Sequence, residues 1–260
     1  MKLISLNTWG GRLLNPLLQF IESKSADTDI FCFQEIFMGD KAETDSHGVR
    51  LNLLNEISHV LKNFQPIFHQ APKGSLYFLD SKLPVPYGVA AFIKKPIQTE
   101  KIGGFPTWEK SLIPEEEIEP SNGNFLHFDI KTPPENITLG NLHGFLTFKS
   151  GKGNNPTTFY QAQKVSDFFE SCRESTKHIL VGDFNLHPQA ESIKIFEKSL
   201  RNLIKEYNIP TTRNSNYKDM ERYEDYIADY CFVSSDVKVE SFKVLPDIVS
   251  DHQPLYLEFY

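Results

Sequence analysis

Apolar stretches of this chain repeatedly run out into side chains able to do acid–base or metal chemistry. Leu6 is followed by Asn7, Phe33 by Gln34 and Glu35, Leu142 by His143, and Val181 by Gly182, Asp183, Phe184 and Asn185. Asp229 lies inside the apolar run Tyr226–Val233, and Ser250-Asp251-His252 stands just before a final apolar stretch. Any one of these is ordinary, because strands end in turns that favour Asn, Asp and Gly. Together they form a pattern. A strand that ends in a polar group delivers it to the rim of a sheet, and an Asp embedded in an apolar strand needs a partner, since an unpaired buried carboxylate is costly.

Glu35 and Asp251 are hard oxygen ligands, and Asn7 is a neutral one or a hydrogen-bond support. Such a set suits Mg²⁺ or Mn²⁺, whereas zinc prefers closely spaced His and Cys. A divalent ion beside a phosphate neutralises developing charge and orients the leaving oxygen. Asp183 could accept a proton from water or orient it, and Asn185 could donate to a phosphoryl oxygen. His252 could donate to the phosphorus centre, with Asp229 fixing its tautomer. The parts fit hydrolysis of a phosphate ester.

Strands are expected at 2–6, 29–33, 64–69, 75–79, 88–94, 97–102, 125–131, 137–142, 178–181, 228–233, 238–244 and 254–259. Asn15-Pro16 reads as an N-cap followed by a first-turn proline, opening a short helix through Leu17, Leu18 and Ile21. Apolar periodicity predicts further helices at 49–61, 158–172 and 190–204. Irregular segments are expected at 36–48, 104–124, 145–157 and 210–226. Strand–helix–strand at 2–35 is echoed by strand–helix–strand at 137–185. No linker or compositional break appears, so residues 1–260 are expected to form a single catalytic domain, an α/β (α+β) design of stacked sheets with covering helices.

With these residues in order, the chain resembles the endonuclease/exonuclease/phosphatase superfamily, the DNase I-like fold. The resemblance rests on Leu6-Asn7-Thr8-Trp9, Phe33-Gln34-Glu35, Gly182-Asp183-Phe184-Asn185, Asp229-Tyr230 and Ser250-Asp251-His252, with Tyr87-Gly88-Val89-Ala90-Ala91-Phe92 as a glycine-led central strand. It implies a four-layer α/β/β/α sandwich of two packed mixed sheets and a divalent-metal-dependent phosphohydrolase. Glu35 would hold the metal, Asp183 would serve the nucleophilic water, and Asp229–His252 would form the catalytic pair. Abasic-site endonucleases of this family usually place a Tyr where this chain has His143. A His there resembles the DNase I, sphingomyelinase, tyrosyl-DNA phosphodiesterase, deadenylase and inositol-phosphatase branches, in which it would hydrogen-bond the scissile phosphate.

The expected substrate is a phosphodiester, with DNA or RNA ends among the candidates. A phosphomonoester of a small or lipid-derived alcohol, or a sphingomyelinase-like diester, is the alternative. A binding protein that has lost catalysis ranks last, because every expected acid is present. Arg12, Lys149, Lys152 and Arg213 are candidate phosphate contacts. Gly151-Lys152-Gly153 lacks the Gly-Lys-Ser/Thr ending of a P-loop.

Composition bounds these readings. With 40% hydrophobic residues the chain can bury a core. A net charge of −7 disfavours gripping long nucleic acid by bulk electrostatics and points to a short, end-like or small substrate. No run of about 18 apolar residues is present, so no membrane span is expected. Asn7 interrupts the N-terminus before a leader's apolar region could form. Cys32, Cys172 and Cys231 offer neither metal spacing nor a disulfide framework, which suits a reducing cytoplasm. A monomer is expected, and no protein partner is inferable.

Overall fold

The computed structural model describes residues 1–71, 85–112, 123–133, 135–146, 153–172, 177–217 and 227–260. Two six-stranded mixed sheets pack face to face. The first comprises β1 (Lys2–Asn7), β2 (Ile30–Phe37), β3 (Phe64–Gln70), β4 (Tyr87–Lys94), β11 (Val239–Val244) and β12 (Leu255–Phe259), in the order β11-β12-β1-β2-β4-β3. The second comprises β5 (Thr99–Pro106), β6 (Asn124–Ile130), β7 (Ile137–His143), β8 (Lys177–Asp183), β9 (Arg201–Asn202) and β10 (Asp229–Val233), in the order β5-β6-β7-β8-β10-β9.

Strand alternation sorts the first sheet's side chains between two cores. Leu3, Ile30 and Cys32 face the second sheet and join Phe125, Leu139, Val181 and Phe232 in the larger core. Ile4, Leu6, Phe31 and Phe33 face outward and are covered by Leu17, Phe20 and Ile21 of α1 (Leu14–Ser25) and by Leu53, Leu54 and Ile57 of α2 (Leu53–Val60). On the far side, α3 (Pro156–Ser171) lays Ala162, Val165 and Phe169 against the second sheet. The layers therefore run helix, sheet, sheet, helix. The echo in the sequence is real in topology: β1 and β2 are parallel and joined by α1, and β7 and β8 are parallel and joined by α3.

Local signals explain most boundaries. Asn155 accepts from Thr158 N while the Thr158 hydroxyl accepts from Asn155 N, a capping box with proline in the first turn, so α3 begins where that box dictates. Elsewhere the boundaries differ from expectation. Helix α1 starts at Leu14 rather than after Asn15, which leaves Pro16 within the first turn, where its missing N–H costs nothing. The helix expected over 49–61 is confined to Leu53–Val60, because Val49 and Leu51 are spent on loop contacts against Phe37 and Tyr87. The helix expected over 190–204 is broken into α4 (Ile193–Phe196), β9 and α5 (Leu203–Glu206), since Arg201 and Asn202 pair with Val233 and Phe232. Strand β5 runs on to Pro106, into the segment expected to be irregular. The strand expected at 75–79 lies outside the described residues. No helix among the described residues is long and apolar enough to cross a membrane.

Candidate active site

Register brings the polar strand ends to one rim. His143 at the end of β7 is paired with Asp183 at the end of β8, and Asp183 with Asp229 at the start of β10. In the facing sheet Asn7 is paired with Gln34. Gly182 lets β7 and β8 close up just before this rim: its φ is 137°, and a Cβ there would lie 1.9 Å from the Leu142 carbonyl oxygen.

Glu35 reaches the cluster through a break in the pleat. The pairing of β2 with β4 shifts register between Phe33 and Ile36, and Glu35 adopts a φ of 58°. A β-bulge re-aims a side chain that strict alternation would send elsewhere. Asn141 in the opposite sheet secures it by donating to the Phe33 carbonyl (3.1 Å) and the Ala90 carbonyl (3.0 Å), and accepts from Gln34 Nε2 at 2.7 Å. Asn185 also holds a left-handed backbone, φ 51°, while its N–H bonds Asp183 Oδ1 at 2.9 Å. Non-glycine residues held in this region mark strained, over-determined positions that cluster at functional sites.

Three side chains converge on one oxygen. Asp183 Oδ2 accepts from Asn7 Nδ2 at 3.0 Å and lies 3.5 Å from His252 Nε2 and 3.9 Å from His143 Nε2. Asn7 Nδ2 also donates to Glu35 Oε1 at 3.1 Å, while its Oδ1 accepts from Trp9 N at 3.0 Å. In this arrangement the Asn7 amide buttresses the two acids. His252 Nδ1 bonds both oxygens of Asp229, at 2.9 and 2.8 Å, and Thr212 Oγ1 donates to Asp229 Oδ2 at 2.7 Å. Ser250 Oγ donates to the Asn7 carbonyl at 2.7 Å and so ties the Ser-Asp-His loop to β1.

Burial and charge set the protonation states. Glu35 is pushed up to about 7 by burial and by the neighbouring Asp251 and Asp183 charges, against the Asn7 bond. His143 is pushed down to about 4 by burial, which outweighs Asp183, so it is neutral at neutral pH. Tyr87 Oη lies 3.0 Å from His143 Nδ1, and burial raises its ionisation, so the phenol stays protonated. His143 Nε2 lies 3.9 Å from both Glu35 Oε1 and Asp183 Oδ2, a placement that suits a ring proton on Nε2 with Tyr87 donating to Nδ1. For His252, burial and the Arg213 charge depress the imidazole, but Asp229, Asp251 and Asp183 outweigh both and raise it.

The structure thus gathers Asn7, Glu35, His143, Asp183, Asn185, Asp229, Asp251 and His252, together with Arg213, whose Nη1 lies 3.2 Å from Asp251 Oδ2. Arg12 is placed differently: its guanidinium stacks on Trp9, 5.0 Å from the ring centre. Lys149 and Lys152 lie outside the described residues. Sequence reasoning assigned no role to Tyr87, Asn141 or Thr212. Tyr87 stood inside the glycine-led strand motif, but its contact with a partner 56 residues away, like that of Asn141 with one 108 residues away, leaves no local signal.

The donor set fits a divalent cation. The ligand atoms of Asp183, Asp229 and His252 lie within 4.8 Å of one another, and the Asp251 charge raises the neighbouring Glu35. Oxygen-rich, acid-dense groupings of this kind suit Mg²⁺ or Mn²⁺.

The model of the Endonuclease/Exonuclease/phosphatase family matches residues 4–252. Among solved structures, a mannosyl-6-phosphatase from Bacteroides thetaiotaomicron VPI-5482 is 20% identical with a TM-score of 0.71, covering 100% of this chain and 99% of that one. The human Nocturnin catalytic domain with bound sulfate anion is 15% identical with a TM-score of 0.66, covering 100% and 93%. A humanized D. rerio TDP2 is 12% identical with a TM-score of 0.68, covering 100% and 98%. At such identities the likeness is one of fold. Comparison with curated proteins gave no match.

Proposed function

Because this chain belongs to the endonuclease/exonuclease/phosphatase family, whose members are phosphoesterase hydrolases and generally depend on divalent metals, we propose that it hydrolyses a phosphate ester with Mg²⁺ or Mn²⁺. The observation that supports this most is the convergence of Asn7, His143 and His252 on Asp183 Oδ2.

Glu35 and Asp251 would hold the ion, with Asn7 orienting Glu35 through its amide. When bound, the ion supplies positive charge to the phosphoryl oxygens. Asp183 takes a proton from the attacking water. His252, held by Asp229 through Nδ1, presents Nε2 to a phosphoryl oxygen when substrate displaces the Arg213 Nη1 that contacts it, and the raised affinity of this ring for a proton strengthens that donation. His143 stays neutral and donates through Nε2, its other nitrogen being occupied by Tyr87. Asn185 gives one amide hydrogen to the Gly144 carbonyl at 3.0 Å and offers the second to substrate.

We take the chain as one catalytic unit, acting as a monomer in the cytoplasm. The centre serves a diester or a monoester alike. A phosphodiester, at a nucleic-acid end or in a lipid, is the first expectation from the motifs. The reading is tested with Mg²⁺, Mn²⁺ and EDTA against single- and double-stranded DNA, RNA, a tyrosyl-DNA end, sphingomyelin, inositol phosphates and generic esters. Metal-dependent turnover of at least one is expected, and turnover that survives EDTA would contradict it.

A further inference from the structure

Side-chain alternation along β2 fails at one place, and the position of Glu35 depends on that failure. Phe31, Phe33 and Ile36 all face the outer core with Leu17 and Leu53, so two residues stand between Phe33 and Ile36 where a regular strand has one. The register gives the same count. Phe33 pairs with Ala90 and Ile36 with Gly88, which leaves Gln34 and Glu35 both opposite Val89. In an unbroken strand Glu35 would share the face of Phe33 and bring a carboxylate under α1 and α2. The bulge sends it to the rim instead, with a left-handed φ of 58°.

The groups that hold this conformation come from outside β2. Asn141 lies on β7 in the facing sheet and is wholly buried. The two hydrogens of its amide are divided between the strands. One goes to the Phe33 carbonyl at 3.1 Å and the other to the Ala90 carbonyl at 3.0 Å, the last pair before the register shifts. Its Oδ1 accepts from Gln34 Nε2 at 2.7 Å. From β1, Thr8 N donates to the Gln34 carbonyl at 3.1 Å, and Thr8 Oγ1 lies 2.9 Å from that oxygen and 3.1 Å from the Glu35 carbonyl. An apolar side chain would fill the space between the sheets without the desolvation that a buried amide carries, so packing alone gives no reason for Asn141.

We propose that Asn141 is a positioning residue for the divalent ion: by fixing the bulge it presents Glu35 at the rim, and so sets the ion's affinity from the opposite sheet. The inference rests on the hydrolase reading above, in which Glu35 holds the ion, and deepens it. The linkage is one of populations. Without the amide, the Phe33 and Ala90 carbonyls lose a buried donor and the strained bulge loses its clamp, so a smaller fraction of the protein offers Glu35 in place. Apparent affinity for the ion falls in proportion to that fraction. The same amide ties the strand that ends in His143 to the strand that carries Glu35.

Mn²⁺ binding, read from the electron paramagnetic resonance of the free ion, tests this without substrate. Asn141→Leu and Asn141→Ser should each weaken binding at least ~10-fold, and Thr8→Val at least ~3-fold, because each loosens the bulge. Glu35→Gln should also weaken binding at least ~10-fold, and Glu35→Gln/Asn141→Leu should stay within ~2-fold of Glu35→Gln, since Asn141 acts through Glu35. Leu203→Ala truncates the larger core at α5, away from the bulge. It lowers stability and should keep Mn²⁺ affinity within ~2-fold of the wild type. Wild-type affinity in the Asn141 variants, losses that multiply in the double variant, or a loss in Leu203→Ala as large as that in Asn141→Leu would overturn the assignment. Should neither Asn141 variant fold, Thr8→Val decides, and wild-type affinity there overturns it. Failure of the metal reading looks different: the wild type would bind no Mn²⁺, or Glu35→Gln would bind it as tightly as the wild type, and the role of Asn141 would fall with it.

Discussion

Glu35 makes the metal-free protein less stable as pH rises, and the size of that loss can be worked from its surroundings. Unfolded, the carboxyl ionises near its ordinary 4.5; folded, burial and the Asp251 charge hold it near about 7. Between those values the unfolded chain gives up the proton that the folded chain keeps, so raising the pH favours unfolding. The shift corresponds to at most ~3 kcal/mol, and to about 2 kcal/mol once screening of a side chain that is 27% exposed is allowed for. This penalty is absent below pH ~4.5, grows across the window and is complete above ~7. Glu35→Gln has no proton to lose. Urea unfolding in EDTA at pH about 5 and about 7.5 should therefore show the wild type losing ~2 kcal/mol more than Glu35→Gln between the two conditions. Titrating groups outside this cluster cancel in that comparison. Mg²⁺ at the higher pH should stabilise the wild type and not the variant, because an ion that binds only the folded state adds to its stability. Parallel pH dependence in the two proteins would refute the placement of Glu35 in an acid-crowded pocket.

Tyr87→Phe removes the hydroxyl on His143 Nδ1, a bond worth about 1 kcal/mol, and should lower kcat roughly 10-fold with little change in KM. A variant with wild-type kcat would mean that Tyr87 does not fix the His143 tautomer. Asp229→Asn and His252→Gln should each slow turnover by ~100-fold or more, and the double variant should be little slower than either, since the two act as one unit. Losses that multiply in the double variant would show them acting independently.

How much of this was legible in the sequence follows from what each feature depends on. Asn7, His143 and Asp183 stood out because apolar strands end in them, and strand ends in adjacent positions of a sheet share a rim. The helix–sheet–sheet–helix layering followed from the motifs through their resemblance to a family. Glu35 was visible as a residue but not in its conformation, because the bulge at Gln34–Glu35 arises from pairing with β4, more than fifty residues on. The helix expected over 190–204 failed for a related reason: pairing of Arg201 and Asn202 with β10 overrides a local helical pattern. Arg213 stood in the sequence as a candidate phosphate contact, but its burial was not legible, because it follows from the chain around it being pinned to Asp229 and the Ser-Asp-His loop.

The most direct test of the account is the turnover rate of Asp183→Ala beside the wild type, on whichever ester the wild type hydrolyses, with saturating Mg²⁺ and with EDTA. The account predicts that the wild type needs the metal and that Asp183→Ala, its fold retained by circular dichroism, is slower by at least ~100-fold. A wild-type rate in Asp183→Ala, or hydrolysis undiminished in EDTA, would contradict it.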